Sequence, residues 1–170
     1  MKIFVTGVSG TGKSTVYSAL RKRGVQTIGI DETPDLSYWI NKNTKEKLTE
    51  KVDFSEEFLK NHEWVCNITL LKELIAKTGE PIVICGSVDN FSECMQLCDR
   101  TLLLECSPAT FTARINARTD NEYGKGKETQ DVLLGYYQEY NQECLDAGAI
   151  SIDAEESIDE VVEKILGYTQ

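Results

Sequence analysis

The feature that most restricts this chain is a run near its start, Gly7-Val8-Ser9-Gly10-Thr11-Gly12-Lys13-Ser14. It fits the pattern of Gly, four residues and Gly-Lys-Ser, with Thr15 behind it, that folds backbone around a phosphate chain. Lys2-Ile3-Phe4-Val5-Thr6 ahead of it reads as a short buried strand. Thr15 to Arg23, with Val16, Ala19 and Leu20 apolar, reads as the helix that leaves it. Gly7, Gly10 and Gly12 allow N–H groups to turn inward around phosphate oxygens in conformations a Cβ would strain. Lys13 supplies an ammonium for the β- and γ-phosphates, the Ser14 hydroxyl can ligate Mg²⁺, and the helix N-terminus adds positive potential. A merely structural glycine turn needs no Gly-Lys-Ser. The run therefore predicts a bound nucleoside triphosphate with Mg²⁺. Gly7, Ser9, Gly10, Thr11, Gly12, Lys13, Ser14 and Thr15 are its contacts.

Composition narrows the remaining choices. With 170 residues the chain is sized for one domain and one core. A formal net charge of −10 speaks against nucleic acid, whose backbone calls for a basic face. No apolar run approaches membrane-spanning length, so no membrane partner is expected. Met1 leads straight into a strand with no signal peptide, which points to the cytoplasm. Of the six cysteines, Cys85 and Cys106 fall inside apolar strand candidates, so buried free thiols are expected. Cys94-x-x-x-Cys98 is not a common zinc spacing, and His62 is the only histidine.

Taken in order, Val25 to Ile30 reads as a second strand ending at Asp31-Glu32. A polar stretch, Thr33 to Val52, follows with Tyr38 and Trp39. Asp53 and Glu56 stand at capping-box spacing, and Trp64, Ile68, Leu71 and Ile75 recur with helical period, so one helix is expected from Asp53 to Gly79. Pro81 to Cys85 reads as a third strand, Phe91 to Leu97 as a short helix, and Thr101 to Cys106 as a fourth strand. Ser107-Pro108 opens a helix with Phe111, Arg114, Ile115 and Arg118. Asn121 to Lys127 is a loop. The next helix carries Leu133, Tyr136 or Tyr137, Tyr140 and Cys144 on one face. Ala149 to Asp153 is a fifth strand, and Ser157 with Glu160 caps a last helix whose Ile158, Val161, Val162, Ile165 and Leu166 point inward. Five strands alternating with helices predict an α/β fold in three layers, a five-stranded parallel sheet flanked by helices, with its site at the strands' C-terminal ends.

The candidate residues cluster accordingly. Asp31, where strand two ends, can orient or deprotonate an acceptor hydroxyl, or hold Mg²⁺ through water. Asp89 reads equally as a magnesium ligand and as a helix cap. Arg114 and Arg118, four apart, share a helix face ahead of the Gly-Lys-Gly-Lys loop; the plainer reading is a solvated pair. Tyr38, Trp39 and Trp64 are candidate walls for an acceptor ring, with core packing favoured for Trp64. None of the five arginines lies between strands two and three. Bidentate phosphate recognition prefers arginine, so an uncharged or weakly charged hydroxyl acceptor is expected, although Lys42, Lys45, Lys47 or Lys51 could stand in.

Over essentially its whole length the chain resembles the P-loop kinases of the adenylate kinase and shikimate kinase type. The resemblance rests on Gly7 to Ser14, on Asp31, and on Arg114 and Arg118 before the loop. It implies a single P-loop NTPase domain over 1–170, a sheet in the order 2-3-1-4-5, an acceptor region at 33–60 and a short lid at 114–131. It also implies lid arginines that clamp phosphates or stack on adenine, with Asp153 and Ala154 near adenine. The function so implied is ATP-dependent phosphoryl transfer to a small hydroxyl-bearing molecule, with Lys13, Asp31, Arg114 and Arg118 catalytic and Ser14 and Asp89 holding metal. The alternatives are a nucleoside monophosphate kinase and, in another class, a nucleotide-binding NTPase or switch acting on a protein partner. A monomer or homodimer suits either kinase reading.

Overall fold

The computed structural model of the protein describes residues 1–49, 52, 55–117 and 127–169. Its centre is β1 (Lys2–Thr6), whose Ile3, Phe4 and Val5 are fully buried. A strand apolar at consecutive positions must be covered on both faces, and this one is. It lies between β5 (Ile82–Cys85) and β6 (Arg100–Glu105), with Phe4 level with Ile84 and Thr101. β2 (Thr27–Gly29) pairs outside β5, and β7 (Ile150–Asp153) outside β6. All four pairings are parallel and the order is β2-β5-β1-β6-β7. In terms of the five expected strands this is 2-3-1-4-5, as the resemblance implies.

Helices flank the sheet. α1 (Lys13–Lys22) buries Val16 and Leu20, and packs beside α7 (Ile158–Gly167), which buries Val161, Val162 and Ile165. α3 (Ile68–Thr78), α4 (Phe91–Met95), α5 (Pro108–Asn116) and the long α6 (Lys127–Asp146) complete the layers. Local signals start two of these helices as expected. Ser107 accepts the Thr110 N–H at 3.2 Å ahead of Pro108, and Ser157 with Glu160 forms a reciprocal capping box. Cys66, Cys85, Cys94, Cys106 and Cys144 are buried as free thiols, in line with the expectation.

The helix expected from Asp53 to Gly79 is not formed. Asp53 lies outside the described residues; Ser55 caps α2 (Glu56–Asn61), accepting the Phe58 N–H at 3.1 Å. The chain then straightens into β4 (His62–Cys66), and Asn67 caps α3 afresh by accepting the Leu70 N–H at 3.1 Å. The polar stretch also contains a strand, β3 (Ser37–Asn41), antiparallel to β4 with Trp39 opposite Trp64. Cross-strand aromatic pairing and side-chain bonds from the loop after β5 override the helical spacing of Trp64. Asp89 accepts the Trp64 N–H at 2.6 Å, and Asn90 accepts the Cys66 N–H at 2.8 Å. Period 2 then sorts the hairpin: Trp39, His62 and Trp64 face one cleft, while Tyr38, Ile40, Glu63 and Val65 face the other way.

Close packing at the end of β5 gives a first test. A Cβ on Gly86 would lie 2.5 Å from the Cβ of Ile30, itself fully buried. Gly86→Ala is expected to cost about 1–3 kcal/mol as an overpacking change, seen as a lower urea midpoint at unchanged m-value.

Candidate active site

Where β1 ends, the backbone must turn sharply beside β6. Gly7 has φ +146°, and a Cβ there would lie 2.7 Å from the Leu104 carbonyl and 2.7 Å from the Thr11 hydroxyl. Only glycine fits this bend. Thr11, 1% exposed, braces the loop by donating its N–H (3.1 Å) and hydroxyl (2.9 Å) to the Val8 carbonyl. The Lys13 ammonium lies back over the loop, donating to the carbonyls of Gly7 (2.6 Å) and Val8 (3.1 Å). Ser14 and Thr15 begin α1 with their side chains exposed.

The loop forms one end of a cleft of about 1130 Å³. Ser9, Gly10, Thr11, Gly12, Lys13, Ser14 and Thr15 line it, as do Asp31, Asp89, Arg114 and Ala154. Most of the residues singled out in the sequence thus converge on one space. Gly7 stands behind it, contributing the carbonyl that receives Lys13. Asp153 is not in the lining: its carboxylate accepts the Glu155 N–H at 2.9 Å and shapes the turn that presents Ala154. Arg118 and residues 121–126 of the expected lid lie outside the described residues.

Arg114 is not a solvated helix residue. Half-buried, it donates to the Thr11 carbonyl at 3.2 Å and the Ala154 carbonyl at 2.8 Å. It therefore ties the phosphate loop to the turn after β7. That turn is anchored a second time by Glu155, whose carboxylate accepts the Ser107 hydroxyl (2.6 Å), the Thr110 hydroxyl (2.6 Å) and the Ser107 N–H (3.0 Å). These bonds, the Ser107 hydroxyl's first, hold its carboxyl down at about 2. Ile158 was expected to point inward; it is 36% exposed and lines the cleft near Ala154, beside Val161.

The opposite end is built on Asp31, Glu32 and the β3–β4 hairpin. Asp31 accepts the Trp64 indole N–H at 3.0 Å. Trp39 and Trp64 lie 5.4 Å apart at 51°, and Phe58 meets Trp39 edge-on at 5.1 Å while stacking on His62 at 4.2 Å. Tyr38 is not part of this wall; it faces outward under the Lys47 ammonium, 4.7 Å from its ring centre. Of the lysines weighed as phosphate partners, Lys42 lines the cleft; Lys45 pairs with Glu63 on the far face, and Lys51 lies outside the described residues. Among the described lining residues Arg114 is the one arginine.

Glu32 is a further carboxylate of the cleft lining. It folds back over Gly29, where a Cβ would collide with it. Desolvation raises its pKa, with Asp31 adding to the rise, while a bond from its own backbone and the Lys13 charge oppose it. Asp89 serves as a brace. Its oxygens accept the Trp64 N–H at 2.6 Å and the Tyr136 hydroxyl at 2.9 Å, and neither it nor Asn90 makes the side-chain cap bond that the sequence suggested for α4. Tyr136 and Tyr137, not separable by period, divide here. Tyr136 lines the cleft; Tyr137 is buried, with its hydroxyl donating to the Cys106 carbonyl at 2.5 Å. Lys42, His62 and Tyr136 carry no motif, and only the hairpin and α6 bring them in.

A five-stranded parallel sheet with a Gly-x₄-Gly-Lys-Ser loop after its central strand defines a P-loop protein, and this sheet order is that of the adenylate kinase and shikimate kinase type. The chain belongs to the AAA domain family, whose sequence model matches residues 3–144. No curated protein matches it in sequence. Among solved structures it is similar to shikimate kinase from Aquifex aeolicus, at 20% identity and TM-score 0.61, covering 98% of this chain and 94% of that one. Deoxyadenosine kinase from M. mycoides with bound dATP is similar at 20% identity and TM-score 0.54, with coverage of 99% and 98%. A gluconokinase from Sinorhizobium meliloti reaches TM-score 0.55 at 19% identity, with coverage of 98% and 89%. These likenesses establish the shared fold.

The two carbonyl bonds make Arg114 part of the structure as well as of the site. Arg114→Ala is expected to lower stability by about 1.5–3 kcal/mol, the scale of hydrogen bonds to a charged group, measured by denaturant unfolding without nucleotide.

Proposed function

We propose that this protein is a kinase that transfers the γ-phosphoryl group of Mg-ATP to a hydroxyl of a small, uncharged, ring-bearing acceptor. The observation that carries the reading is the single cleft, with a phosphate loop at one end and two carboxylates beside an aromatic wall at the other. Its volume exceeds what one drug-sized ligand fills, which suits a donor and an acceptor side by side. The similar structures, a deoxyadenosine kinase, a gluconokinase and a shikimate kinase, agree with phosphorylation of a small molecule.

The residues divide the work as follows. Loop N–H groups and Lys13 hold the phosphates. Arg114, fixed between Thr11 and Ala154, adds fixed positive charge beside them. Ala154, Ile158 and Val161 offer an apolar seat for the base. Mg²⁺ prefers to keep several waters and to take one or two carboxylates plus substrate phosphates. The donor set fits that preference, because Ser14 with Asp31 and Glu32 lines the cleft. The ion would sit on Ser14 and spread the charge that builds on the phosphate oxygens. Asp31 orients the acceptor hydroxyl and takes its proton late in transfer. The aromatic wall binds the ring and keeps water from competing. A nucleoside monophosphate kinase fits less well, since no arginine faces the acceptor end among the described residues and Lys60 there is paired with Glu56 at 2.6 Å.

ADP release, measured over nucleosides, nucleoside monophosphates and sugar or ring alcohols, tests the reading. A neutral ring alcohol is expected to give the largest stimulation. ATP hydrolysis unaffected by every acceptor would instead favour an NTPase that serves a protein partner. Lys13→Ala should lose about 2–4 kcal/mol of Mg-ATP stabilisation. Asp31→Asn should keep Mg-ATP affinity and lose about 10²–10⁴-fold in turnover. A variant that binds ATP without magnesium but poorly with it would move Asp31 to the metal.

A further inference from the structure

Four hydrogen-bonding groups on four separate elements form one chain across the acceptor end of the cleft. The Tyr136 hydroxyl on α6 donates to one oxygen of Asp89 at 2.9 Å. The other Asp89 oxygen accepts the Trp64 N–H at 2.6 Å, and the Asp89 N–H returns a bond to the Trp64 carbonyl at 2.7 Å. Trp64 is thereby fixed at its backbone on both sides. Its indole N–H then reaches across to Asp31 at 3.0 Å. The ring cannot swing freely, because Trp39 packs against it at 5.4 Å.

We propose that Trp64 is the positioning residue of the acceptor site: it aims the Asp31 carboxylate, and it takes its own position from Asp89 and Tyr136. The inference deepens the kinase reading and rests on it for the role of Asp31. Asp31 needs such support. It sits beyond the end of β2 on an exposed turn, where its side chain would sample several rotamers. One donor on one oxygen selects among those rotamers and leaves the second oxygen for a substrate hydroxyl. The charged acceptor also strengthens the bond. A further consequence concerns α6, the helix that follows residues 118–126 in sequence. Any displacement of α6 that breaks the Tyr136 bond loosens Asp89, then Trp64, then the carboxylate. The placement of α6 thereby supports that of the acceptor base. Catalytic geometry is sensitive enough for this to matter, since an error of about 1 Å can cost about 10²-fold in rate.

The experiment has a spectroscopic arm and a kinetic arm, both on the full chain. The chain has two tryptophans, so its ¹⁵N–¹H spectrum holds two indole resonances, assigned with Trp39→Phe. In the presence of Mg-ATP, Asp31→Asn is expected to move the Trp64 indole resonance upfield, and Tyr136→Phe to speed exchange of that proton with water. An indole signal indifferent to both substitutions overturns the proposal, whatever the activity. In the kinetic arm, with the best alcohol from the ADP-release panel, Trp64→Phe should lower kcat about 10- to 100-fold while KM for Mg-ATP stays within about twofold. Added to Asp31→Asn it should cost less than about twofold more, because the two act through one bond. Full additivity would mean that Trp64 packs against the acceptor without positioning Asp31, and the proposal would fall. If no acceptor stimulates ADP release, the kinase reading fails on its own account, and the spectrum still decides whether Trp64 and Tyr136 control Asp31.

Discussion

A phosphate chain held by backbone amides must be met by backbone that bends where a side chain cannot go. Here that bend is at Gly7, pressed between the Leu104 carbonyl and the Thr11 hydroxyl. The close approach exists because β1 lies between β5 and β6, so its loop emerges where the sheet's connections part to either side. At that point in an open parallel sheet the strand ends leave a crevice. Everything chemical in the molecule is then a matter of which loops reach the crevice. The turn after β7 and Arg114 come from the β6–β7 side; Asp31, Glu32 and Asp89 come from the β2–β5 side.

The charges in the cleft are distributed unequally. The phosphate-loop end is cationic and well braced: Lys13 rests on two carbonyls of its own loop, and Arg114 spans two more from distant segments. The opposite end, beside the hairpin, is anionic and aromatic. Glu32 is raised by desolvation with Asp31 beside it, and Lys13 is the cation that relieves it. A bound metal and its phosphates would enter between these ends, where both charge sets act on them.

What could be read in advance followed the length of the interactions. Strand β1, the loop after it and the caps at Ser107 and Ser157 depend on neighbours within a few residues, and each is where the sequence placed it. Sheet order is not local, and the family resemblance supplied it. The β3–β4 hairpin was missed because its pairing joins Ser37 to Cys66, and because the bonds that select strand over helix come from Asp89 and Asn90 still further on. Trp64 fits a helical repeat by coincidence of spacing; its alternation with His62 was the competing sign. Arg114 illustrates a different gap. Its residue type and place suggest a phosphate clamp; its two bonds to backbone carbonyls are of a kind that no side-chain pattern encodes.

The aromatic wall has a further use. Trp39 and Trp64 are the molecule's whole complement of tryptophan, and both line the cleft on the hairpin side, away from the phosphate loop. The protein's tryptophan fluorescence therefore originates entirely in one half of its cleft. A ring stacking on that wall would change the emission directly, whereas a nucleotide at the far end would do so only by moving the wall. On the proposed assignment of the two ends, the native chain would carry an optical reporter that separates acceptor from donor without any label.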